Sequence, residues 1–411
     1  MRHPPFRLPF HYGWVIVVTG ILTLFACLGL ARFAFGMLLP AMGAGLGLGY
    51  DQMGYISTGN FAGYLLSVAL APLLIRLLRP RLLIVCGLLL IALCMLAIGR
   101  GQSFLAVAIL YFFVGMGSGF ANIPVMVLVS HWFRRERRGR AAGLMVMGSA
   151  LGIVFSGFLI PRLNLALGAE GWRAGWLVLG LIALGAALIA AVLVRNDPAA
   201  LGLEPEGPKT ELPPAALVPK NPPGAGRILL RLGLLYLLFG ATYMIYGTFI
   251  VTTLVVEQGF AEARAGLFWS WVGGFGLFSG VVFGTLSDRI GRKGGLMLVF
   301  AIQTAAYLLA GSNLGTAALL LSVVLYGLVA FAVPTIMAAA VGDYLGLSRA
   351  AAAFSTITVF FAVGQTLGPG AAGLLAESLG TFRVSYLVAA TLTGAAVLLA
   401  SRLPSPREDR G

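Results

Sequence analysis

Carboxylates are scarce in this 411-residue chain: 14 Asp and Glu stand against 28 Lys and Arg, and charged residues of both signs make up only 10%. Histidine and cysteine are scarcer still, with three of each. Each shortage excludes something. Cys27, Cys86 and Cys94 all fall inside apolar runs, with no metal-ligand spacing and no disulfide framework, and read as packing residues. The apolar runs contain no His/Asp cluster for a metal and no nucleophile–base pair, so neither an enzyme nor a cofactor is implied. Extended polar stretches are nearly missing too, with a single one at 195–227. With 59% hydrophobic residues the chain has the balance of a polytopic membrane protein.

Apolar runs separated by short polar or Gly/Pro breaks predict an all-α membrane protein of twelve spans. They lie near 12–40, 52–76, 82–99, 104–130, 139–163 and 173–194, then 228–256, 264–287, 294–311, 316–344, 350–377 and 383–402. The first run is too long for a cleaved signal peptide and lacks a small-residue cleavage site, so it is expected to stay as a helix. One polar segment, 195–227, holds Glu204-Pro-Glu-Gly-Pro and Lys220-Asn-Pro-Pro-Gly and reads as a mostly extended linker. It divides the chain into two six-helix halves, 1–194 and 228–411. These repeat weakly: Gly148-x-x-x-Gly152 in span five has a counterpart in Gly364-x-x-x-Gly368 in span eleven. Two parallel six-helix halves suit a transporter with its site at the midplane between them.

The net charge of +14 is topological. With the N-terminus inside, 22 of the 28 basic residues fall on the inner side, and Arg100, Arg162, Arg173, Arg264 and Arg383 on the outer. That bias places both termini in the cytoplasm of an inner or plasma membrane and argues against a nucleic-acid partner. The remaining cation, Arg32, is the only ionised side chain in the run from Tyr12 to Met42. An arginine at such a position costs about 2.5–3.5 kcal/mol by insertion scales, so it is normally kept for a task. It either snorkels to the headgroups or faces an internal cavity. None of the 14 acids falls mid-membrane, so Arg32 has no counter-charge at depth; an anionic substrate would provide one through charge-assisted contacts.

Other polar candidates inside the spans are Asn60, Asn122, Tyr243, Tyr246 and Gln365. Tyr243 and Tyr246, three apart, share a helix face and are expected to line the cavity. Asn60 and Gln365 are expected to bridge helices, and Trp269 and Trp271 to pack or sit at the interface. His131 reads as an interfacial residue.

Gly284-Thr-Leu-Ser-Asp288-Arg289-Ile-Gly291-Arg292-Lys293 follows span eight and resembles the signature loop of the major facilitator superfamily nearly residue for residue. The resemblance implies two pseudo-symmetric bundles and a loop, carried by Gly284, Asp288, Arg289, Gly291 and Arg292, that latches one conformational state. The first-half equivalent, Ala71-Pro-Leu-Leu-Ile-Arg76-Leu-Leu-Arg79-Pro, lacks the aspartate and second glycine. The arginine-rich turn Trp132-Phe133-Arg-Arg-Glu136-Arg-Arg138-Gly139-Arg140 also looks like a superfamily loop, and reads as an anchor. Proton-coupled members carry an arginine where Tyr111 stands, and drug antiporters a Gly-Pro pair where Ile153 follows Gly152.

Arg32, with Phe35 and Pro40 after it, is similar to the first-helix pattern of organophosphate:phosphate antiporters, where that arginine binds the anion. Those carry a second arginine in span seven; here Tyr243, Tyr246 and Thr248 stand instead, which favours a monoanion. The stretch Gly29 to Met42 with Asp51 to Tyr64 looks most like the YbfB/YjiJ type. The expectation is a monomeric transporter in the lipid bilayer, moving a small organic anion such as a monocarboxylate by symport, antiport or facilitated diffusion. Its site would contain Arg32, Phe35, Asn122, Tyr243 and Tyr246. Drug or metabolite efflux with a structural Arg32, or a membrane ligand sensor, are the alternatives.

Overall fold

A computed structural model describes residues 10–208 and 224–404. Nine helical segments among the described residues are long and apolar enough to cross a membrane. Tyr50–Ile98 (49 residues) and Glu262–Gly311 (50 residues) are too long for one crossing of a core about 30 Å thick. Each breaks at one residue with non-helical backbone, Arg79 in the first and Gly291 in the second. The breaks fall where the sequence separates spans two and three, and eight and nine.

In chain order the helices are α1 (Gly13–Leu46), α2 (50–78), α3 (80–98), α4 (Phe104–Trp132), α5 (Arg135–Leu167) and α6 (Gly171–Leu193). Then follow α7 (Ala225–Glu257), α8 (262–290), α9 (292–311), α10 (Thr316–Leu345, interrupted between Val329 and Ala332), α11 (Leu347–Leu379) and α12 (Arg383–Ser401). Glycines let backbones touch where apolar burial cannot drive association in lipid. A Cβ on Gly148 or Gly152 of α5 would strike the α1 backbone at Ile21 and Gly29; one on Gly364 or Gly368 of α11 would strike α7 at Leu237 and Ala241. The weak repeat in sequence is thus a repeated helix contact.

The starts of α1 and α7 and the ends of α6 and α12 share one face, termed the terminal face. There the Tyr12 hydroxyl donates to the Leu193 carbonyl (2.8 Å) and Arg231 donates to the Arg402 carbonyl (2.5 Å). The halves meet toward the opposite, far face. A Cβ on Gly36 would lie 2.5 Å from the Gly247 carbonyl oxygen, and one on Gly54 2.6 Å from that of Pro369. Ser57 and Thr248 share a hydrogen bond (3.2 Å), and Thr58 donates to the Thr366 carbonyl (2.8 Å). Carboxylates clasp the rim: Glu377 of α11 accepts from the Tyr50 N–H that opens α2 (2.7 Å), and Glu262 accepts from Asn164 (2.6 Å).

The linker corrects an expectation. Its residues 195–208 are docked on the terminal face rather than extended, and 209–223 lie outside the described residues. Phe133 and Glu206 form an isolated parallel bridge, Arg134 pairs with Glu204 (2.7 Å) and Arg137 with Glu206. His131 meets Asp197 (3.3 Å). The arginine-rich turn after α4 therefore holds the acidic start of the linker, a pairing hidden by their separation of about 70 residues in sequence.

Gly291 sits at φ 82°, ψ 152°, and Arg79 at φ 63°, ψ 157°. The first-half turn has kept the backbone shape and lost the glycine. A side chain there costs on the order of 1–3 kcal/mol. Arg79→Gly is expected to raise the apparent melting temperature in detergent, whereas Gly291→Ala lowers it. A fall on Arg79→Gly would show that the arginine makes contacts outweighing the strain.

Candidate functional site

α1 is not α-helical throughout. Phe25–Phe33 is a π-helical stretch, closed where the Ala34 N–H bonds the Gly29 carbonyl, and Arg32 lies in its last turn. Such stretches are rare and collect at functional sites. Gly29 within it packs against Gly152, which presses α1 close to α5.

Arg32 does not snorkel: it is 7% exposed and enclosed by protein. Its guanidinium carbon lies 4.4 Å from the Tyr64 ring centroid and 5.1 Å from that of Phe61, two α2 residues three apart and so on one face. Its Nε and Nη2 are buried and have no hydrogen-bond partner. No ion pair among the described residues involves it. Asn122 of α4 donates to the Tyr64 hydroxyl (2.9 Å) and so fixes the ring under the cation. Opposite, Phe33 meets the Tyr243 ring edge-on at 6.1 Å, bringing α7 of the other half to Arg32's neighbour.

Arg32, Asn122 and Tyr243 therefore share one neighbourhood; Phe35 and Tyr246 lie elsewhere. Phe35 stacks on Tyr111 (4.6 Å) and tilts against Trp176 (6.5 Å), in the core of its own half. Tyr246 is fully buried, bonded to Ser322 (2.8 Å) and stacked on Tyr326 (4.1 Å) inside the second half. Its hydroxyl needs a partner, and α10 supplies it. Asn60 bridges as expected, donating to the Tyr111 carbonyl (3.0 Å). Gln365 does not: it is fully buried with both amide atoms unpartnered. Trp269 is buried and Trp271 exposed. Tyr64 and Phe61 went unrecognised as site residues, although their spacing on α2 was a readable signal.

In the loop between α8 and α9, Arg292 holds the contacts. It reaches Asp288 (2.5 Å), Ser287 (2.7 Å) and Asp343 at the end of α10 (2.6 Å). Arg289 is exposed, Gly284 lies against Thr335, and Gly291 makes the turn. These contacts tie the loop to its own half.

The architecture is that of a major facilitator transporter. A crystal structure of a bacterial homologue of the human lysosomal transporter Spinster, inward-facing and occupied, superposes with a TM-score of 0.72 at 14% identity, covering 95% of this chain and 96% of that one. Residues 24–401 match the family described as Uncharacterised MFS-type transporter YbfB, and the chain belongs to that family. That family is one of membrane transporters, which are not enzymes. The hexuronate transporter of Bacillus subtilis is 23% identical over 391 residues, covering 92% of this chain and 91% of that protein. The phosphoglycerate transporter protein of Salmonella typhimurium is 28% identical over 178 residues, a match spanning 42% of this chain and only 38% of that relative.

Proposed function

We propose that this transporter moves a small organic monoanion, a monocarboxylate, across an inner or plasma membrane by alternating access, with Arg32 as the anion-binding group. The observation carrying this reading is the buried guanidinium with two unpartnered nitrogens and no acid beside it. A buried cation is tolerated when something pairs with it, and a carboxylate fits the planar fork. The absence of a second cation on the Tyr243–Thr248 stretch of α7 favours one negative charge over two. Substrates named for two relatives, a hexuronate and a phosphoglycerate, are anions as well. Twelve crossings, in halves 1–194 and 228–411 joined by the cytoplasmic linker 195–227, would rock as a monomer about this point, and both termini would face the cytoplasm. The loop holding Gly284, Asp288, Arg289, Gly291 and Arg292 would latch one state through the α10 end that Arg292 grips.

The test is ligand-dependent thermal stabilisation of purified wild type and Arg32→Gln with monocarboxylates, dianionic phosphate esters and lipophilic cations. A ligand at 100 times its Kd stabilises by about 2.7 kcal/mol. A monocarboxylate is expected to raise the melting temperature of wild type and leave Arg32→Gln unmoved. If lipophilic cations stabilise both proteins equally and no anion does, Arg32 is structural and the drug- or metabolite-efflux reading takes over.

A further inference from the structure

We propose that Gln365 of α11 is the second pole of the ligand site: Arg32 takes the carboxylate, and Gln365 takes a hydroxyl or carboxamide elsewhere on the same molecule. This rests on the reading of Arg32 given above. Two observations carry it, the face of α11 that Gln365 occupies and the state of its amide.

Successive helix residues turn by about 100°. On α11, Gly364 and Gly368 lie against Leu237 and Ala241 of α7, while Thr366 and Gly370 meet Thr58 of α2. Leu367 and Leu374, on the opposite side, are exposed. Gln365 falls between the α7 and α2 contacts, on the inward side of the helix. Phe361, one turn earlier on that side, stacks on Tyr236 at 4.7 Å and Phe239 at 5.8 Å. Phe239 stacks on Tyr243, whose ring meets Phe33. Thr58 is one turn from Phe61, the ring beneath Arg32. Gln365 is thus reached from Arg32's neighbours by two routes, one along each half.

Its amide is wholly buried, and neither Nε2 nor Oε1 has a partner. A buried amide left unmade is costly, and it offers two donors and an acceptor together. A second carboxylate would satisfy only the nitrogen, and a cation only the oxygen. A hydroxyl or a carboxamide satisfies both. Between the poles run the stacked rings of Tyr236, Phe239, Tyr243 and Phe361. The ligand class is therefore a monocarboxylate bearing a hydroxyl or amide away from its charge.

Matched pairs test this: 4-hydroxybutyrate and butyrate, 4-hydroxybenzoate and benzoate, 4-hydroxycyclohexanecarboxylate and cyclohexanecarboxylate. Thermal shift gives the Kd of each for wild type and Gln365→Met, an unbranched apolar side chain of similar length. The hydroxylated member of at least one pair is expected to bind wild type about tenfold tighter, the scale of one or two neutral hydrogen bonds. Gln365→Met should erase that difference, hold the unhydroxylated member at its wild-type Kd and keep or raise the ligand-free melting temperature. Monocarboxylates that bind with equal preference in both proteins overturn the role of Gln365 and leave Arg32 standing. A Gln365→Met protein that unfolds or melts well below wild type overturns it too, because the amide is then structural. If no monocarboxylate binds wild type, both readings fall.

Discussion

A Gly36→Leu variant is expected to fold and insert, yet to lose most of its transport. The Cβ alone would lie 2.5 Å from the Gly247 carbonyl oxygen, and that oxygen belongs to a helix backbone. Backbone cannot step aside as a side-chain tip can, so α1 and α7 must part. Overpacking of this kind costs about 1–3 kcal/mol. Here the cost falls only on the state in which the far face is shut. An equilibrium biased by that amount shifts roughly 5- to 150-fold, enough to stall a cycle that must visit both states. The distance between spin labels at Leu165 and Leu314, exposed positions at the far end of each half, should lengthen. An unchanged distance with normal transport would mean that this contact can yield without opening the face.

Arg32→Met should make the ligand-free protein more stable while abolishing its response to anions. Two terms oppose each other. Losing the contacts with Tyr64 and Phe61 costs about 0.5–2 kcal/mol. Replacing a buried charge by an apolar side chain of similar volume gains about 1–4 kcal/mol, and this charge is unpaired. The second term is larger, so the melting temperature should rise. A clear fall would assign Arg32 to structure, because its contacts with Tyr64 and Phe61 would then outweigh the cost of burying its charge.

Much of the fold was legible because a bilayer leaves the chain few options. Runs of apolar residues in a protein with 10% charged residues can only be spans, and the glycine repeats marked the close contacts. What escaped was conformational or long-range. Arg79 adopts the glycine-like turn of Gly291 without being glycine, and no composition rule expects that. The linker looked loose because its partners, Arg134 and Arg137, are distant in sequence. At the site, Arg32 was singled out by a charge where none is cheap. Phe35 was joined to Arg32 by a resemblance alone, and its ring packs on Tyr111 and Trp176 in its own half. Gln365 was expected to bridge, as most buried amides do, and only its packing shows that nothing is there to bridge to.

The irregular turn in α1 has a consequence for insertions and deletions. A π-helical loop encloses one residue more than an α-helical one, so the stretch Phe25–Phe33 stores one residue of slack. Removing a residue from an ordinary spanning helix rotates everything beyond it by about 100° and ruins the packing. Here a deletion between Phe25 and Ala31 can be absorbed by closing the bulge into plain α-helix, leaving the far end of α1 against Gly247. Residues inside the bulge change face while those outside keep theirs. The charge at Arg32 can thus be turned toward or away from the centre by a change in chain length alone, with the arginine itself untouched.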